Sequence, residues 1–145
     1  MVKIIVMNLT NILLLEDDYL DVIDIRRSLD KMKVLYKLHV AKNGEEAIDI
    51  LSGKGEMALN TLPDIALIDI NMPKMNGIEF LRELRADPEL RLIPVIVLTT
   101  SNEDKDKVEA YNLNVAGYIL KPVTFSSFVE AVATLNKYWT LSELP

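Results

Sequence analysis

The sequence has no cysteine, which excludes disulfides and thiolate chemistry and fits a reducing cytoplasm. It lacks a basic excess: the formal charge is −6 and no basic stripe occurs, so direct nucleic-acid binding is not expected. It also lacks an apolar run long enough to cross a bilayer, so no membrane association is expected. The N-terminal Met1-Val2-Lys3-Ile4-Ile5-Val6 has one charge and no small-residue cleavage site, which argues against a signal peptide. Met7 offers an alternative start, because the first recognisable strand begins at Ile12.

What is present is a chain of 145 residues, half of them apolar, enough for a single domain with a real core. Continuous Val/Ile/Leu runs at 12–15, 65–68, 95–98 and 118–120 read as strands of a parallel sheet covered on both faces. Leu38-His39-Val40-Ala41 mixes polar and apolar residues and reads as a fifth, edge strand.

Helical periods lie between the strands. Val22, Ile25, Leu29 and Met32 mark one face of a first helix, and Ala47, Ile48 and Leu51 a second, opened by Asn43-Gly44-Glu45-Glu46. Ile78, Leu81 and Leu84 mark a third. Ser101 or Asn102 caps a fourth, anchored by Val108 and Tyr111, and Phe125, Phe128, Val129, Val132 and Leu135 mark the last. Pro63 and Pro94 stand just before strands, and Ser52 to Leu62 forms a longer connection than usual. Strict alternation of strand and helix predicts right-handed βαβ units and an open, doubly wound α/β sheet. No repeat or second domain is legible.

Four strands end in polar residues. Ile12–Leu15 runs into Glu16-Asp17-Asp18, Ile65–Ile68 into Asp69, Val95–Leu98 into Thr99-Thr100, and Tyr118–Leu120 into Lys121-Pro122. In open α/β sheets, ligands bind outside the carboxyl ends of the strands. Glu16, Asp17 and Asp69 would be three carboxylates in close quarters, which repel unless a cation or proton intervenes. Hard oxygen ligands of this kind suit Mg²⁺. With the Lys121 ammonium and the Thr99 hydroxyl beside it, the arrangement suits phosphoryl transfer onto Asp69 as nucleophile.

The set Glu16-Asp17, Asp69 with Met72-Pro73 and Gly77, Thr99, Gly117-Tyr118 and Lys121-Pro122 resembles the receiver domain of bacterial two-component response regulators. The resemblance covers roughly residues 11–137 of a single domain spanning 1–145, and five positions agree jointly in order and strand context. It implies a five-stranded flavodoxin-like, CheY-like (βα)5 fold with strand order 2-1-3-4-5. It implies phosphoryl transfer from a histidine kinase to Asp69, with Mg²⁺ held by Asp17, Asp69 and the backbone carbonyl of Asn71, and with Glu16 acting mainly through water. Thr99 and Lys121 would contact the phosphoryl oxygens, Lys121-Pro122 would be a cis peptide, and Thr99 and Tyr118 would form the switch that changes the face of the fourth helix and fifth strand. With no output domain legible, the signal is expected to pass to a downstream protein or onward through a phosphotransfer protein. The loop before Pro63, the segment Tyr111–Val115, Lys121-Pro122-Val123 and Trp139 narrow the resemblance to the small stand-alone regulators that partner bacterial phytochrome kinases.

Two features depart from the family pattern. The acid triplet permits an Asp17-Asp18 register, although the apolar run ending at Leu15 favours Glu16-Asp17. The residue after Thr99 is usually small, and here it is Thr100, which bears on dephosphorylation.

Plainer readings stand beside these. Asp18 reads as a helix cap, Tyr118 equally as half-buried core, and His39 as a surface or satisfied residue. Trp139, Leu141 and Leu144 either cover the sheet's end or serve a homodimer or kinase contact. A phosphohydrolase with an aspartyl nucleophile is the main rival function. It commonly needs an acid two residues on, where this chain has Asn71, which cannot act as general acid. A receiver used only for binding is another alternative. A nucleotide-binding module is disfavoured, because the first strand runs into acids and not into a glycine-rich phosphate loop.

Overall fold

The computed structural model describes residues 11–33, 35–52, 62–71, 77–100, 103, 108–109 and 112–133. Five strands, β1 (Asn11–Leu15), β2 (Lys37–Ala41), β3 (Ile65–Asp69), β4 (Val95–Thr99) and β5 (Gly117–Leu120), form one sheet in the order β2-β1-β3-β4-β5. Every pairing is parallel. Among the described residues, three helices are complete between strands: α1 (Tyr19–Lys31), α2 (Gly44–Leu51) and α3 (Gly77–Ala86). Residues 103, 108 and 109 are helical in the β4–β5 connection, and residues 125–133 form a helix after β5. The five strand runs read from the sequence agree with the observed strands to within one residue at each end.

The apolar runs are continuous because the central strands are covered on both faces. Side chains alternate across the sheet, so one core layer holds Ile12, Leu14, Ile65, Leu67, Ile96 and Leu98 against α1 and the C-terminal helix. The other holds Leu13, Leu15, Ala66, Ile68, Val95 and Val97 against α2 and α3. All five residues of β3 and of β4 are buried, whereas β2 at the sheet's edge is exposed or half-buried over its first four.

The helices begin where their sequences supply caps. Asp18 accepts from the Leu20 amide at 2.9 Å and opens α1, and Asn43 accepts from the Glu46 amide at 2.9 Å and opens α2. Val22, Ile25 and Leu29 are buried on α1 as the period predicts. The other two periods needed correction. Ile50 and Phe80 are core residues that the periodicity left out, while Ile48, Leu51 and Ile78 only pack against the core's margin. Phe80 is wholly buried, because α3 lies with a broader face against the sheet than three positions marked. In the C-terminal helix Phe128 and Val132 are buried, but Phe125 is 36% exposed. Tyr111, Leu135, Trp139, Leu141 and Leu144, and most of the connection before Pro63, lie outside the described residues.

One side chain clasps the amino end of the sheet. From α3, the Arg85 guanidinium donates to the carbonyls of Arg91 at 2.8 Å, Ile93 at 2.9 Å, Leu113 at 2.8 Å and Asn114 at 3.0 Å. It joins the connection that leads into β4 to the one that leads into β5. Asn112 and Asn114 both have positive φ there, 52° and 53°, a region that asparagine tolerates better than most residues.

Candidate phosphoryl-acceptor site

Strand register brings the polar strand ends together. Leu15 is opposite Ile68, so Glu16 and Asp69 leave β1 and β3 as neighbours, and the Glu16 amide still donates to Ala41 of β2 at 2.9 Å. Asp69 is opposite Leu98, and Thr99 is opposite Leu120. The Lys121 amide donates to the Thr99 carbonyl at 2.8 Å, extending the β4–β5 ladder by one residue.

Asp69 is 3% exposed at the carboxyl end of β3. Its Oδ1 accepts from the Asn71 amide at 3.0 Å, and its Oδ2 lies 3.0 Å from Lys121 Nζ. The chain directly after Asp69 is closed off by α3. A Cβ on Gly77 would strike the Asp69 carbonyl oxygen and stand 2.5 Å from Ile70 Cα, so only glycine lets the helix begin against this strand end.

Glu16 is the most buried of the acids, at 1% exposure, and its Oε1 accepts from the Asp18 amide at 3.1 Å. Its Oε2 meets Lys121 Nζ at 2.7 Å and, among the described residues, has no hydrogen-bond partner beyond that ion pair. Burial raises the Glu16 carboxyl to about 7, with the charge of Asp69 adding to the rise and Lys121 opposing it. For Lys121, burial alone would lower the ammonium, but hydrogen bonds to Glu16, Asp21 and Asp69 more than reverse this and raise it.

Oxygens of Glu16, Asp17 and Asp69 all lie within 4.8 Å of one another. Asp17 is exposed, so the cluster opens to solvent on that side. Asp18 is spent on capping α1, which favours the Glu16-Asp17 register over Asp17-Asp18. The donor set fits a hard divalent cation: three carboxylates, one of them with a buried oxygen that, among the described residues, is satisfied only by an ammonium. Thr99 is 4% exposed at the end of β4. The Lys121–Pro122 peptide is cis. Met72 and Pro73 lie outside the described residues.

Residues 12–133 match the family model for the response regulator receiver domain. The chain belongs to this family. Among related receivers, the response regulator Rcp1 of Synechocystis is 32% identical over 128 residues, covering 88% of this chain and 87% of Rcp1. Rcp1 has been solved in a Mn²⁺-bound form, with a TM-score of 0.72, 31% identity, and coverage of 94% of this chain and 97% of that one. The bacteriophytochrome response regulator RtBRR has a TM-score of 0.82 and 39% identity, covering 88% of this chain and 78% of that one. The phosphorylated cyanobacterial phytochrome response regulator RcpA has a TM-score of 0.73 and 34% identity, covering 93% and 96%. The relatives named as phytochrome response regulators are of the kind to which the sequence resemblance pointed. Receivers of this family bind a divalent metal and act as signalling phosphoacceptors.

Tyr118 lies on β5 opposite Val97, half-buried against the layer that faces α2 and α3. Burial, and then the charge of Glu109, raises its hydroxyl. A cleft of about 320 Å³ lies beside it, lined by Val108, Glu109, Asn112, Leu113, Asn114 and Val115. His39 differs from the surface or satisfied residue expected. It is half-buried on β2, and its Nε2 is buried with no hydrogen-bond partner among the described residues.

Sequence reasoning missed Asp21. Its Oδ2 lies 2.9 Å from Lys121 Nζ, so it belongs to the site as closely as Asp69 does. Its position four residues after Asp17 on an amphipathic helix was the available signal. The distant partner, a hundred residues along the chain, was not readable.

Proposed function

We propose that this receiver accepts a phosphoryl group on Asp69 from a sensor histidine kinase in a Mg²⁺-dependent reaction, in the cytoplasm, and signals by protein contact. One observation carries the reading: a buried carboxylate at a strand end has an ammonium 3.0 Å from one oxygen and two further acids within metal-ligating distance. An Asp69 oxygen forms the bond to phosphorus as the donor's phosphorus–nitrogen bond breaks, and the released imidazole recovers a proton from solvent. Asp17, Glu16, Asp69 and the Asn71 carbonyl would hold Mg²⁺, with Glu16 reaching it mainly through water. Bound there, the ion would offset the carboxylate charge and the charge on the transferring oxygens. Lys121 and the Thr99 hydroxyl stabilise those oxygens from the other side. As Thr99 moves toward the phosphoryl group, Tyr118 turns inward and changes the face that a downstream target reads.

Asn71 favours this reading over hydrolysis, because a carboxamide two residues after the nucleophile cannot protonate a leaving group. Phosphorylated RcpA and Mn²⁺-bound Rcp1 support the chemistry, and the names of RtBRR and RcpA support a phytochrome-type kinase as donor. Intact mass after incubation with a small phosphodonor tests the assignment. A gain of one phosphoryl group that needs Mg²⁺ and disappears in Asp69→Asn is expected. Steady turnover of phosphate esters would favour the hydrolase, and no gain under any donor would leave a receiver that only binds.

A further inference from the structure

Four acids gather where β1 runs into α1, and three have roles already. Glu16 and Asp17 belong to the metal-ligating cluster, and Asp18 caps the helix. The fourth, Asp21 in the first turn of α1, lies outside that cluster, yet its Oδ2 stands 2.9 Å from Lys121 Nζ. The Asp21 side chain is 15% exposed and that of Lys121 is 12% exposed, so solvent screens the pair little.

We infer that Asp21 is a positioning residue, acting through Lys121, that competes with the phosphoryl group for the lysine ammonium. The inference rests on the proposed phosphoacceptor role of Asp69. The ammonium has three protons and faces three carboxylates, those of Glu16 at 2.7 Å, Asp21 at 2.9 Å and Asp69 at 3.0 Å. When the site is loaded, two of the three change. Asp69 becomes an acyl phosphate and gives up its carboxylate charge, and Glu16 would share its charge with the bound cation. Asp21 alone neither receives phosphorus nor belongs to the metal cluster, so its charge stays on Lys121 throughout. That fixed negative charge favours the incoming cation and opposes the incoming anion. It holds Lys121 ready before phosphorylation, and it weakens the lysine's grip on the phosphoryl oxygens afterwards.

The effect has a signature that misfolding does not share: the neutral variant shifts cation and anion affinity in opposite directions. Calorimetric titration of wild type, Asp21→Asn and Asp21→Glu with Mg²⁺ alone, then with beryllofluoride as phosphoryl mimic at saturating Mg²⁺, measures both. In Asp21→Asn the Mg²⁺ dissociation constant is expected to rise by roughly three- to tenfold and that of beryllofluoride to fall by a similar factor. Asp21→Glu, which keeps the charge, is expected to stay within about twofold of wild type on both. Unchanged constants in Asp21→Asn, or both weakening together, would overturn the inference while leaving Asp69 as acceptor intact. A wild type that binds no beryllofluoride with Mg²⁺ would instead remove the acceptor reading, and this inference with it.

Discussion

Lys121, at the end of β5, reaches past the ends of β4 and β3 to place its ammonium 2.7 Å from Glu16 Oε2 at the end of β1. Among the described residues that contact is the only partner of a buried carboxylate oxygen, so the two residues depend on each other before the site is loaded. Replacing the lysine leaves Glu16 to be protonated or to stand charged without compensation. Lys121→Met is expected to lower stability by roughly 1–3 kcal/mol at pH 8. The loss should shrink at pH 6, where the Glu16 carboxyl, already raised to about 7, is neutral. Urea denaturation at both pH values checks this. Glu16→Gln should recover most of the loss in the double variant, and strict additivity would show that the pair is not coupled.

The start of α3 is set by Gly77, whose missing side chain lets the helix abut the backbone of Asp69 and Ile70. Gly77→Ala has backbone, not a flexible side chain, in the way, so the chain itself must shift. A destabilisation of about 1–3 kcal/mol is expected. Because the displaced atoms belong to Asp69, beryllofluoride binding should weaken beyond what the lost stability explains. An alanine variant with wild-type affinity would show that the strand end tolerates the movement.

Arg85 contributes at the opposite end of the sheet. Its guanidinium serves four carbonyls from two connections, and no other side chain has enough donors in that planar fork to replace it. Arg85→Met should cost about 2–3 kcal/mol in chemical denaturation, since several acceptors lose their partner at once. Arg85→Lys should recover less than half, because a point ammonium cannot span both connections. Hydrogen exchange would show faster opening at 112–116 in either variant.

His39 predicts a pH dependence. Burial, with the charge of Lys37 adding to it, holds the imidazole below its ordinary value in the folded chain. The folded state therefore takes up its proton at lower pH than the unfolded state does. The His39 contribution is fully present above the unfolded value of about 6.5 and is lost as pH falls from there toward the folded value. Thermal unfolding between pH 5 and 8 should show this loss in wild type, and His39→Phe should flatten it. An unchanged slope in the variant would assign the dependence to the acids instead.

Much of this molecule was legible in the chain. The runs Ile12–Leu15, Ile65–Ile68 and Val95–Leu98 determined three central parallel strands, because only strands covered on both faces are apolar without alternation. Asp69, Glu16, Asp17, Thr99 and Lys121 were legible as candidates, because each ends such a run and parallel strands put their ends on one rim. The sequence also set the caps at Asp18 and Asn43, since capping is local chemistry within three residues. What it left undetermined depended on angle and distance across the fold. Whether Phe80 and Ile50 turn inward follows from how a helix rolls on the sheet, which periodicity alone leaves open. Only the tertiary structure decided that Asp21 shares Lys121 with Asp69, and that Arg85 ties two connections far apart in the chain. A side chain's own composition gives no hint of a partner that only folding brings within 3 Å.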